Sequence, residues 1–262
     1  LYINGNMVND NEDRRVANAI VFYSKWKYEG SEEVKVIINP AHLMATPGKC
    51  TPIMEDGSVI HECEQNFPVA IELARQLKNN KIDVELTECD MYKELPNNSA
   101  TDDMYNRINF ANERSSDLYV SIHKNADTVY DWTNTTGTDI HICAKGGNAE
   151  KVANKVLERV IQYTGDKNRG VKVSNLAEVR DTIVPAILCE LGFMTNKADA
   201  EDMLSATAQY NYACGVAHGI CDFFGITYDK LPMVDSKCND NTRAIELINN
   251  IRAELTELET LI

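Results

Sequence analysis

Three apolar runs constrain this 262-residue chain more than any other feature: Ile38-Asn39-Pro40-Ala41-His42, Tyr119-Val120-Ser121-Ile122-His123 and Ile187-Leu188-Cys189-Glu190-Leu191-Gly192-Phe193. Short continuous apolar runs of this kind read as strands buried on both faces. Each carries a residue able to bind a metal or move a proton. In open α/β sheets, ligands collect outside the carboxyl ends of the strands. The runs therefore predict that His42, His123 and Glu190 meet at strand exits, although 148 positions separate the first from the last (190 − 42).

The rest of the pattern supplies the sheet's partners. Periodicity predicts strands over 34–39, 82–87, 118–122, 138–144 and 184–189, with helices over 64–79, 101–115, 148–164 and 206–224. Pro68 fits the first of these helices only near its first turn. Residues 170–181 read as irregular. The expected fold class is α/β: a twisted, mostly parallel central sheet with helices on both faces, plus a C-terminal helix with a coiled-coil pattern. The body is placed at 34–227. Before it lies an N-terminal extension, 1–33, of unknown role, with a short helix over 14–27. After it come a linker, 228–241, and a helix, 242–262. In that helix Ile248, Ile251, Leu255, Leu258 and Ile262 step by 3, 4, 3 and 4, which is an a/d seam. Such a helix either docks back on the body or self-associates, and the 3.5-residue spacing favours a homo-oligomer.

Composition excludes several partners. With 26 basic and 40 acidic residues the net charge is −14. Nucleic acid is unexpected as a partner, because phosphate neutralisation by Lys and Arg supplies most of that affinity. No membrane association is expected either, since no apolar stretch approaches the roughly 20 residues that cross a bilayer. The apolar segment 16–22 is too short and too acidic on its N-terminal side for a signal peptide. The opening Leu1 reads as the start of a processed product or a fragment, so a lost leader stays open. Eight cysteines form no CxxC pair and several sit in apolar runs, which predicts mostly reduced core thiols. Cys50 and Cys63 bracket a long loop beside the expected site, and the sequence leaves open whether they pair.

The residue types point to metal-assisted hydrolysis. A catalytic zinc ion takes three protein ligands, commonly His and a carboxylate, and keeps a fourth position open. His42 and His123 are the nitrogen ligands. Glu62, or its neighbour His61, is the third. Glu190 is placed to move a proton, and burial would raise its pKa as that task requires. His141, in mid-strand, and His218, in an Ala/Gly-rich helix, read as structural.

Four segments carry a resemblance over 34–227. They are Ile37-Ile38-Asn39-Pro40-Ala41-His42; Glu62-Cys63-Glu64-Gln65-Asn66-Phe67; Arg107-Ile108-Asn109-Phe110-Ala111-Asn112 followed by the block from Asp117 through His123 to Ala126; and Arg169-Gly170-Val171-Lys172, leading to the block from Arg180 through Glu190 to Asn196. Together they resemble the zinc-dependent N-acetylmuramoyl-L-alanine amidases of the third amidase family, found among bacterial wall enzymes and phage endolysins. The resemblance implies one zinc ion held by His42, Glu62 and His123, Glu190 as the catalytic carboxylate, and Asn125 as a hydrogen-bond donor to substrate. It implies bacterial peptidoglycan as the partner and cleavage of the amide between N-acetylmuramic acid and L-alanine. The place of action would be the cell wall, reached by secretion or by release at lysis from a phage-infected cell. Two other readings use the same residues: an inactive peptidoglycan-binding or structural module, and a zinc peptidase or deacetylase of different specificity. The family's glycine-rich turn after the first histidine is replaced here by Leu43 and Met44, which are expected to line the cleft.

Overall fold

The structure is a computed structural model that describes residues 2–3, 6–7, 34–96, 99–129 and 131–234. The expected helices at 14–27 and 242–262 lie outside the described residues, as does Cys238. The chain divides into two units, Asn9–Leu231 and a second made of Leu1–Val8 with Pro232–Ile262. In the second, β1 (Tyr2–Ile3) pairs antiparallel with β2 (Asn6–Met7).

The larger unit is built on six strands: β3 (Lys35–Asn39), β4 (Asp83–Leu86), β5 (Leu118–Asn125), β6 (Thr138–Ile142), β7 (Asn168–Val173) and β8 (Ala186–Phe193). They lie in the order β4-β3-β5-β8-β6-β7. The first four are mutually parallel; β6 runs antiparallel to β8, and β7 parallel to β6. Among the described residues the six helices are α1 (Glu62–Asn79), α2 (Ala100–Asn112), α3 (Asn148–Thr164), α4 (Ala177–Arg180), α5 (Lys197–Asp202) and α6 (Ala206–Phe224). Among the described residues, no helix is long and apolar enough to cross a membrane.

Side chains alternate across a strand, and here the alternation separates two cores. On one face Ile38, Val120, Ile122, Ile140 and Ile187 pack against α1, α3 and α6 through Leu73, Val156, Val160, Val216 and Ile220. On the other, Ile37, Tyr119, Ala186 and Leu188 meet Ala111 of α2 and Val179 of α4. That second face is only partly covered. Its strand positions become polar toward one end, with Asn39, Ser121, His123, Glu190, Asp139 and His141 in the same alternation.

Three local features depart from the sequence expectation. β7 overlaps the start of the stretch read as irregular; it is a polar edge strand, so burial leaves no apolar pattern to see. Helix α1 starts two residues early, making Pro68 its seventh residue, so the proline falls beyond the first turn, where its missing N–H withholds a helical bond. Leu43 is fully buried with Cys63, Phe67 and Met91, and Met44 packs on the same cluster. Leu43 is therefore core, not cleft wall. Cys50 and Cys63 are not joined to each other by a disulfide, and Cys63 Sγ lies 3.4 Å from Met44 Sδ.

The small residues of α6 serve helix–helix contact. A Cβ at Gly219 would lie 2.4 Å from Val156 Cα, and one at Gly215 would lie 2.6 Å from Val160 Cα. Backbone atoms of α3 cannot move away as a flexible side chain would. Gly219→Ala is expected to destabilise the fold by about 1–3 kcal/mol through overpacking, read as a lower urea midpoint at unchanged slope. An unchanged midpoint would show that α3 and α6 are free to separate.

Beyond α6 the chain is held against α1. The Gln76 side chain accepts from Tyr228 Oη and Leu231 N, at 2.9 and 3.0 Å. Asn80 and Asp229 exchange two bonds, at 2.7 and 2.9 Å. Residues 228–231 thus form a strap across α1.

Candidate active site

The site begins where β3 stops. After Asn39 the chain turns through Pro40 and Ala41 to His42, which adopts φ +69°. A non-glycine residue in the left-handed region costs about 1–2 kcal/mol, so the turn needs an external hold. Arg107 of α2, 4% exposed, provides it. Its guanidinium donates to Asn39 Oδ1 at 2.9 Å, to the Pro40 carbonyl at 3.3 Å and to the His42 carbonyl at 2.9 Å. The guanidinium is itself fixed by Asp103 at 3.0 Å, which also accepts from Thr46 Oγ1 at 2.9 Å.

Glu62 opens α1, and its carboxylate points inward while His61, half-buried, stays at the helix entrance. There the His61 N–H donates to Glu64 Oε2 at 2.7 Å, a helix-start bond. Glu62 Oε1 meets His123 Nδ1 at 2.9 Å and accepts from Lys124 N at 3.2 Å. Glu62 Oε2 lies 3.4 Å from His42 Nε2 and accepts from Lys49 N at 3.1 Å. The approach of the 41–60 loop depends on Gly48, where a Cβ would come within 2.6 Å of Glu62 Oε2 and 2.7 Å of His42 Cδ2. The glycine missing after His42 is thus supplied six residues later. Burial works to raise the Glu62 carboxyl, but the His123 bond and the two imidazole charges prevail and hold it down at about 2.

His123 is buried in β5 with its ring edge-on to His42, 5.1 Å between centroids. Its Nε2 lies 3.0 Å from Glu178 Oε2 in α4. Glu178 Oε1 in turn accepts from Asn39 Nδ2 at 2.6 Å and Ser121 Oγ at 2.9 Å. Burial would push the His123 imidazole toward neutrality, yet Glu178 and Glu62 on either side keep it protonated well above its usual range.

Glu190 is the register partner of His123 on one side and of Asp139 on the other. It does not stand at a strand exit: β8 runs on to Phe193, and His123 likewise lies inside β5. The polar residue interrupts the apolar run without ending the strand, because its face there is the open one. Glu190 Oε2 is buried with no hydrogen-bond partner. Burial first, then the carboxylates of Glu62, Asp139 and Glu178, push the Glu190 carboxyl up to about 8 against the opposing pull of His123.

The structure therefore brings His42, Glu62, His123 and Glu190 together. One ligand atom from each of His42, Glu62 and His123 lies within 4.8 Å of the others. Asn125 sits at the end of β5, where its Oδ1 accepts from Ala126 N at 2.9 Å. Glu178 escaped the sequence reading, since a helix of four residues shows no periodicity. Arg107 and Asn39 lay in recognisable segments but had no assigned task.

Two imidazoles and a carboxylate clustered beside a second carboxylate with an unpartnered oxygen form a donor set that could hold a metal ion. The sequence model of the family described as N-acetylmuramoyl-L-alanine amidase matches residues 36–222, and the chain belongs to that family. It is 27% identical over 197 residues to an uncharacterized cell wall amidase of Bacillus anthracis, covering 72% of this chain and 35% of that protein. It is 28% identical over 196 residues to the N-acetylmuramoyl-L-alanine amidase CwlM of Bacillus licheniformis, covering 74% of this chain and 70% of CwlM. The crystal structure of N-acetylmuramoyl-L-alanine amidase from Clostridium difficile 630 aligns with a TM-score of 0.65 at 25% identity, covering 74% of this chain and 98% of that one. The chain spans about a third to just over half of the length of the first curated relatives it matches.

Proposed function

We propose that this chain is a zinc-dependent N-acetylmuramoyl-L-alanine amidase acting on the bacterial cell wall. The observation that carries the reading is the convergence of His42, Glu62 and His123 next to the orphaned Oε2 of Glu190. The donor set fits zinc, which favours imidazole nitrogen and carboxylate oxygen. When bound, zinc supplies a Lewis acid for the scissile carbonyl and lowers the pKa of a water from about 15.7 to about 7.

The chain's own residues do the rest. Glu62 offers one oxygen toward each imidazole and balances the positive charge. Glu178 fixes the His123 ring so that Nδ1 faces the cluster, the usual task of a carboxylate behind a ligating histidine. Glu190 takes the proton lost by the attacking water and returns it to the departing amine of L-alanine. Burial suits it to this, because a carboxyl raised to about 8 holds its proton between the two transfers.

Digestion of purified peptidoglycan, read by mass spectrometry, tests the reading. Intact stem peptides with new free L-alanine amino ends are expected. Shortened stems would make the protein a peptidase, and no release would make it a binding module.

Arg107 acts through the His42 turn. Arg107→Lys keeps the charge but loses the fork that reaches the carbonyls and Asn39 at once. Zinc affinity, measured by chelator competition, is expected to fall about 10–100-fold, as when other supports of metal ligands are lost. Unchanged affinity would mean that the turn holds itself.

A further inference from the structure

β7 carries a feature that metal binding and proton transfer leave unused. Arg169 and Lys172 stand three positions apart, and in a regular strand such residues point to opposite faces. Here the β6–β7 register runs from Thr138↔Asn168 to Ile140↔Val171, so two steps on β6 answer three on β7. The extra residue is absorbed as a bulge at Gly170, whose φ of +86° suits glycine. The bulge puts both cations on the face that carries Glu190. Arg169 Nε and Lys172 Nζ both donate to Asp139 Oδ2, at 2.9 and 2.6 Å. The guanidinium is further set over the Phe193 ring, 4.6 Å from its centroid.

Two cations on one carboxylate leave one positive charge over, in a chain whose net charge is −14. Asp139 is fully buried, while the side chains of Arg169 and Lys172 are 25% and 37% exposed. The surplus charge thus faces outward, toward whatever lies on the sheet. Asp139 is the register partner of Glu190, one strand or about 4.8 Å away.

The geometry points to a carboxylate-binding subsite, formed by Arg169 and Lys172 on Asp139, for the second residue of the stem peptide. This rests on the amidase reading and says which way the substrate lies. The N-acetylated glycan strand lacks a free carboxylate where its lactyl group is amide-linked, so the anionic groups lie on the peptide. A residue linked onward through its side chain, as a γ-linked glutamate is, keeps its α-carboxylate free. One extended residue spans about 3.3–3.6 Å. With the L-alanine amide at Glu190, that carboxylate reaches the cations and the peptide runs toward β6 and β7.

The test is isothermal titration of the full chain with L-alanyl-γ-D-glutamyl-L-lysine and with the same tripeptide amidated at the α-carboxyl of its glutamate. A charge-assisted bond of this kind corresponds to about tenfold in affinity. The wild type is expected to bind the acid at least that much more tightly than the amide. Lys172→Gln and Arg169→Gln are each expected to bring the ratio within about twofold of one. Lys172→Gln leaves Asp139 with Arg169 as partner, and the wild-type ratio needs no variant at all. Equal binding of the two peptides by the wild type, or a ratio that survives both substitutions, would overturn the subsite. Turnover of peptidoglycan is read separately: hydrolysis without the ratio removes the subsite and leaves the amidase, whereas the ratio without hydrolysis supports the subsite and removes the amidase.

Discussion

His123→Ala is expected to drop zinc from near one per chain to near zero by elemental analysis, and to cut peptidoglycan hydrolysis at least about a thousandfold. Both effects come from the place of one ring. The His123 imidazole fills the gap between Glu62 and Glu178, at 2.9 and 3.0 Å. Removing it takes away a nitrogen ligand and leaves two buried carboxylates facing each other without their shared partner. Breaking a buried ion pair from one side costs about 3–5 kcal/mol, so this variant should also melt earlier. His42→Ala separates the two effects. The His42 side chain is 28% exposed and touches only one of the carboxylates, so zinc should be lost with a smaller change in stability. Zinc retained near one per chain in both variants would place the metal elsewhere.

Glu190→Gln is expected to give the opposite combination. The amide has nearly the shape of the carboxyl and removes no zinc ligand, so metal content should stay near one per chain. The turnover number should fall about 10²–10⁴-fold, the usual worth of a positioned general base and acid, while KM changes little. The absence of a hydrogen-bond partner at Oε2 makes the comparison clean, since no donor is left stranded by the substitution. Loss of zinc in this variant would make Glu190 a ligand, and activity within tenfold of wild type would leave proton transfer to another group.

The strands that build the site were legible because they are buried on both faces. Seven of the eight residues of β5 are buried, and such strands announce themselves as continuous apolar runs. Helices α3 and α6 match the periodicity to the residue. The illegible parts share a physical cause, which is that burial pattern carries no signal there. β7 has no fully buried residue, and its bulge breaks any alternation. Helix α4 is a single turn, so Glu178 could not be separated from its polar neighbours. At the site, His123 and Glu190 were recognisable as polar residues in apolar strands, whereas Glu62, just before a helix start, could be separated from its neighbour His61 only by the resemblance. The supporting contacts made by Arg107 were invisible in sequence because they join α2 to a turn 65 positions away. Leu43 was misjudged for a related reason: its position after a surface-facing histidine says nothing of the cluster waiting beneath it.

The order of strands governs when the candidate site can be assembled. β8 is the last sheet strand of the larger unit to leave the ribosome, yet it lies between β5 and β6. Without it, no strand pairing joins β4-β3-β5 to β6-β7, and Glu190 does not exist. A nascent or truncated chain ending before residue 186 therefore holds all three candidate metal ligands but lacks Glu190 and the strand that joins β5 to β6. On the proposed amidase function, competence to cut then waits for the last strand of the sheet to be made.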